Sequence, residues 1–125
     1  MALCTALGPE TTGLIDRRRL ALMKPTAFLI NIARGQIVDE DALYAALRDG
    51  RMGGAALDVW WQYPTAAEPR RRGSRHPFHE LPKVIVTPHN SGWTQGMVRR
   101  RWDEIAENLH RFVAGQPLIN VVTTT

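Results

Sequence analysis

The 125-residue sequence contains a single cysteine, Cys4, so neither a disulfide framework nor a CxxC metal pair can form within it. No bound metal is expected, and this cysteine usage suits a reducing compartment. No uninterrupted apolar run approaches the roughly 18 residues needed to span a bilayer. Residues 1–8 lack the basic n-region of a secretory signal. A cytoplasmic address with no membrane partner is therefore the expectation. No two of the ten glycines stand in G-x-G spacing, which removes the usual glycine-rich turn that cradles phosphates. Internal repeats and low-complexity tracts are missing as well.

What is present is an ordinary globular composition. With 44% hydrophobic and 22% charged residues, the chain can fold and bury one core. The net charge of +4 comes largely from three arginine triplets, at residues 17–19, 70–72 and 99–101. They lie far apart on different predicted elements, without an interleaved aromatic stripe, so they read as solvated faces. No nucleic-acid partner is expected.

Short apolar runs alternate with helical patterns. Residues 2–7 read as a strand ending at Gly8-Pro9. Asp16 can cap a short helix through Leu22, stopped at Lys24-Pro25, because the residue before proline avoids helical geometry. Residues 27–32 (AFLINI) form a solid apolar run of strand length. Asp39 can cap a second helix, which Gly50 ends. Residues 55–59 and 84–86 read as further strands. A last helix spans residues 94–114, where Val98, Trp102, Ile105, Leu109 and Phe112 form one stripe before Gly115 and Pro117 stop it. Strand, helix, strand, helix, strand implies an α/β fold with a parallel sheet. The polar segment 60–82, rich in proline and arginine, is a long loop of the functional or mobile kind.

In open parallel sheets, ligands bind beyond the carboxyl ends of the strands. Three segments here end strands with chemically useful residues: 31–35 with Arg34, the end of GAALD with Asp58, and 87–92 with His89. Parallel strands would bring a guanidinium, a carboxylate and an imidazole to one rim. Spacing alone takes the reading as far as an α/β domain with an anion site.

The stretch INIARGQIVDEDAL at residues 30–43 closely resembles the signature of the D-isomer-specific 2-hydroxyacid dehydrogenases. PETTGLI at 9–15, LMK at 22–24, GAALDV at 54–59, LP at 81–82, TPH at 87–89 and GQP at 115–117 continue the likeness in order. The resemblance implies half of a Rossmann-type doubly wound parallel sheet, truncated. Residues 1–115 would be the C-terminal half of an NAD-binding domain, and 116–125 a tail leading back to a substrate domain. It also implies hydride transfer between NAD, or NADP, and a small 2-keto or 2-hydroxy acid.

On that resemblance, Arg34 holds the substrate carboxylate and keto oxygen, as its planar fork of donors suits. His89 is the general acid/base, for which imidazole is well matched. Thr5, Ile32, Ala33, Arg34, Asp58, His89 and Gly92 fall on cofactor-contacting positions. Two departures stand out. Most of the family has a glutamate five residues beyond Asp58, where this chain has Tyr63. The formate-dehydrogenase branch likewise has an uncharged residue, glutamine, at that point. Tyr63 can orient the histidine without lending it charge; Glu68 is the alternative carboxylate. The second departure is the missing GxGxxG turn, which leads us to expect a piece of a longer enzyme. A non-catalytic interaction module is the other expectation, pairing with itself or a complementing chain through an open sheet edge and the helix stripe.

Overall fold

The computed structural model describes residues 1–122, which fall into two compact units, residues 1–91 and residues from 92 onward. The first unit carries four parallel strands in the order β1 (Ala2–Leu3), β2 (Phe28–Asn31), β3 (Gly54–Leu57) and β4 (Val84–Val86). Helices α1 (Arg17–Ala21) and α2 (Glu40–Arg48) form the first two crossovers. The register sets Asn31 beside Leu57 and Leu57 beside Val86, so three strands end level with one another.

The sequence punctuation explains the helices. The Asp16 side chain accepts from the Arg19 amide at 2.7 Å, and Asp39 accepts from the Ala42 amide at 2.9 Å. Each thus satisfies an amide that the first helical turn leaves open. Gly50, at φ 66°, lets the chain leave α2 through the left-handed region. The inward faces of both helices pack on the sheet, joining Leu20, Ala42, Leu43 and Ala46 to Leu3, Leu29, Ala55 and Leu57. Fully burying a side chain such as Leu29 or Leu43 stabilises the fold by about 1.5–3 kcal/mol. Strand residues alternate: Leu29 and Asn31 are buried while Phe28, Ile30 and Ile85 are 57%, 41% and 69% exposed. Among the described residues, helices of this unit therefore cover one face of the sheet.

The first strand is shorter than the predicted span of residues 2–7. β1 pairs at Ala2 and Leu3, opposite Ile30 and Asn31, and ends there. Beyond that point β2 turns away, because the Asn31 carboxamide captures the Ala33 amide and the Arg34 carbonyl. The chain after Leu3 then has no strand to pair with.

The segment between β3 and β4 is tied down at several points. The indole of Trp61 donates to the Val38 carbonyl at 2.7 Å. Glu40, only 5% exposed at the start of α2, accepts from the Ser74 hydroxyl, the Arg75 amide and the Arg75 guanidinium at 2.7, 2.7 and 3.0 Å. A buried carboxylate is tolerated when paired and hydrogen-bonded in this way. Phe78, on a single 3-10 turn (Phe78–Glu80), enters the core at 1% exposure and stacks on Trp61.

The second unit holds α3 (Met97–Val113), three residues shorter at its start and one at its end than the predicted helix. Gly115 follows it at φ 65°. The Asn108 side chain secures the tail by bonding both the amide and the carbonyl of Ile119. The apolar stripe Val98, Trp102, Ile105, Leu109 and Phe112 is exposed. No described helix is long and apolar enough to cross a membrane.

Candidate active site

Because β2, β3 and β4 are parallel and level, the residues that follow them share one rim. The Asp58 amide donates to the Asn31 carbonyl and the Thr87 amide to the Leu57 carbonyl, each at 3.0 Å, so the three chains stay side by side just past the strands. Arg34, Asp58 and His89 each lie within three residues of a strand end.

Asp58 is 5% exposed and is the hub of the rim. Its Oδ1 accepts from the Thr87 hydroxyl at 2.5 Å and the Asn90 amide at 2.9 Å. Its Oδ2 accepts from the Ser91 hydroxyl at 2.5 Å, and the Ser91 amide reaches both oxygens at 3.1 Å. Burial works against the charged form, but the Ser91 and Thr87 hydroxyls and the Ser91 and Asn90 amides outweigh it. They bring the Asp58 carboxyl down to about 2. The bonded residues flank His89 on both sides.

His89 itself is exposed and sits at φ 60°, in the left-handed region that non-glycine residues seldom occupy. Such a conformation persists where its surroundings over-determine it, and Asp58 provides that restraint. The ring is held separately: Tyr63 Oη lies 3.0 Å from His89 Nδ1. The same phenol oxygen accepts from the Trp60 amide at 3.1 Å. The phenol proton is then available to Nδ1 of a neutral imidazole, which leaves the ring proton on Nε2. Glu68, the alternative carboxylate, pairs with Arg71 at 3.3 Å.

Arg34 follows a turn that Asn31 shapes. Fully buried, Asn31 accepts from the Ala33 amide at 3.1 Å and donates to the Arg34 carbonyl at 2.9 Å. Arg34 is exposed, with Nη1 2.6 Å from the Ala33 carbonyl. Ile32, 48% exposed, and Thr5, also exposed, stand past β2 and β1. Ala33 is buried with its amide and carbonyl both engaged, so it is the least accessible of the expected cofactor contacts. Gly92 is the first residue of the second unit and directly follows Ser91 in the chain.

Three supporting residues were not singled out from the sequence. Asn31 carries a signal, being the one polar residue in an otherwise apolar strand. Gly35 carries one only in retrospect: a Cβ there would stand 2.3 Å from the Trp60 carbonyl carbon, so its backbone abuts the Trp60–Trp61 peptide. Trp60, whose Nε1 donates to the Thr87 carbonyl at 3.1 Å, gives none.

Comparison with known proteins places the chain in one group. The family described as D-isomer specific 2-hydroxyacid dehydrogenase, NAD binding domain, matches residues 1–91. The glycerate dehydrogenase of Methylorubrum extorquens is 41% identical over 111 residues, which is 89% of this chain and 34% of that protein. The glyoxylate reductase of Thermococcus onnurineus is 39% identical over 116 residues, 93% of this chain and 32% of that protein. The chain thus spans about a third of the length of these relatives. A D-lactate dehydrogenase from Lactobacillus jensenii solved with NAD+ superposes with a TM-score of 0.84 at 29% identity, covering 98% of this chain and 39% of that one. A D-isomer specific 2-hydroxyacid dehydrogenase from Xanthobacter autotrophicus, solved with NADPH and MES, gives 0.75 at 40% identity, covering 98% and 47%.

Proposed function

This chain belongs to the D-isomer specific 2-hydroxyacid dehydrogenases, as part of their NAD-binding domain, and we propose that it contributes the acid/base and carboxylate-binding residues of a D-2-hydroxyacid/2-keto acid oxidoreductase. The observation that carries the reading is the double restraint on His89. Asp58 fixes its backbone and Tyr63 its ring, on the rim that also bears Arg34. Positioning of this kind is what proton transfer to a reacting carbonyl requires.

The residues present fit a nicotinamide nucleotide in part. Thr5, Ile32 and the Asp58-anchored loop line the strand ends, where the nicotinamide end of the cofactor would lie. The pyrophosphate cradle has no counterpart, as the ten glycines contain no G-x-G pair. When bound, NAD (or NADP) supplies or accepts the hydride. Arg34 binds the substrate carboxylate and polarises the keto group. His89 gives a proton to the carbonyl oxygen in reduction and takes it back in oxidation. Tyr63 keeps one lone pair for an Nδ1 proton when the imidazole is charged. In this reading residues 1–115 act with a further, phosphate-binding half and a substrate domain in the cytoplasm.

A chimaera tests the proposal: this sequence replaces the matching segment of the 41%-identical glycerate dehydrogenase. NADH-dependent keto acid reduction is expected, and His89→Ala should lower it by about a hundredfold or more while NADH still binds. Undiminished turnover in His89→Ala would end the assignment.

A second reading, an interaction module, is favoured by the apolar sheet side chains Phe28, Ile30 and Ile85, which are exposed. It predicts that the purified chain elutes as an oligomer, without turnover in any chimaera. A monomeric chain would count against it.

A further inference from the structure

Beside the Tyr63–His89 pair lies a cavity of about 900 Å³, bounded by Trp60, residues 62–64, residues 71–80 and Pro88. Cavities of roughly 300–1,000 Å³ hold drug-sized ligands. A keto acid with a methyl substituent would leave this one almost empty.

Its wall is built before any ligand arrives. The Trp60 indole donates to the Thr87 carbonyl at 3.1 Å. Against the ring packs the Gly73 backbone, where a Cβ would stand 2.8 Å from the indole Cγ. The Trp60 amide donates to Tyr63 Oη, which in turn meets His89 Nδ1. A rigid aromatic surface is thereby coupled through two hydrogen bonds to the proposed acid/base. Pro64 and Pro88 add apolar lining.

Charge decides between an apolar and an anionic occupant. Arg71 is engaged with Gln62 and Glu68, and Arg75 with Glu40 and Asp41. His76 bonds Asp41 at 2.6 Å. Arg72 alone among the lining arginines lacks an acidic partner within the described residues. With most of the cationic lining already matched, aromatic and proline surface is what remains for a ligand.

We infer that this cavity receives the substrate side chain, and that the substrate is a 2-keto or 2-hydroxy acid bearing an aryl group. The inference rests on the oxidoreductase reading above. A ring entering beside Trp60 gains offset stacking in addition to the burial of its own surface. The acid head remains at the rim with Arg34 and His89.

The test is NMR on the purified 125-residue chain. Trp60→Phe identifies the Trp60 Nε1–H signal, and the imidazole Cε1–H reports on His89. Three acids are titrated: D-lactate, D-phenyllactate, and 3-phenylpropionate, which lacks the 2-hydroxyl. Both phenyl acids should move the Trp60 signal saturably while D-lactate leaves it unchanged, and D-phenyllactate should also move His89. Trp60→Ala should weaken phenyl-acid binding by about tenfold. If that variant unfolds, the selectivity of the wild-type chain decides. Should D-lactate move His89 while neither phenyl acid moves Trp60, the pocket is refuted and the catalytic reading survives. Should 3-phenylpropionate move Trp60 while no hydroxy acid reaches His89, the catalytic reading fails and the substrate assignment with it. Silence at Trp60 with every acid also overturns the proposal.

Discussion

Tyr63 Oη lies 3.0 Å from His89 Nδ1, in a position where a carboxylate would supply charge and this chain supplies only a hydrogen bond. The phenol is itself anchored by the Trp60 amide, so it holds the ring at a set angle. Orientation is thus supplied at this site without charge, and it can be removed by itself.

Tyr63→Phe should release the imidazole while leaving the backbone of residues 87–91 in place. The expected outcome is a shift of the neutral ring from mainly the Nε2–H form toward a mixture of both tautomers. Nitrogen-15 chemical shifts of the ring measure this. An unchanged tautomer ratio would mean the phenol does not govern the ring.

Asp58→Asn replaces an acceptor-only group with one that must point an NH2 at hydroxyl and amide donors. At least one buried bond is lost, and a loss of about 1–3 kcal/mol is expected. Urea unfolding gives the figure, and the Asn90 and Ser91 amide resonances should both move. Stability within a few tenths of a kcal/mol of the parent would show that the hub is dispensable.

The same carboxyl sets a pH dependence. Its folded value of about 2 lies below the ordinary 3.8, so the charged form is favoured by folding. That contribution is complete above the ordinary value and fades as pH drops from about 4 toward 2. The stability gap between the parent chain and Asp58→Asn should therefore be constant at neutral pH and narrow through that acid window. A gap that widened on acidification would contradict the assignment.

Gly35→Ala tests the contact between the segments after β2 and β3. A Cβ would stand 2.3 Å from the Trp60 carbonyl carbon and 2.4 Å from its oxygen, and neither is a flexible side-chain tip that could swing aside. A cost above about 3 kcal/mol is expected, enough to unfold a marginal domain. Thermal denaturation would reveal it, and an unshifted midpoint would argue against that close approach.

Binding of NADH to the chain alone should be weak, because pyrophosphate is normally seated on backbone amides of a glycine-rich turn, and the sequence has no G-x-G pair. Calorimetric titration checks this; micromolar affinity would require another phosphate site.

The rim was legible in the sequence because its ingredients are local. Arg34, Asp58 and His89 each follow an apolar run, and parallel strands necessarily end on one side. The caps Asp16 and Asp39 were equally plain, since a cap acts within four residues. What escaped notice depends on partners far along the chain. Glu40 looks like any first-turn acidic residue until Ser74 and Arg75 fold over it from 34 and 35 residues away. The early end of β1 follows from the turn that Asn31 imposes on its neighbour. Periodicity carries no information about a partner strand running out.

The Asp58 hub has a consequence for how the site works. A histidine on a free loop would have to be brought to heel at each encounter, surrendering its wandering every time a substrate arrived. Here one carboxylate grips the Thr87 hydroxyl before it and the Asn90 and Ser91 amides after it. That disorder is surrendered when the polypeptide first folds, and on the proposed reading the imidazole would meet each newcomer already aimed.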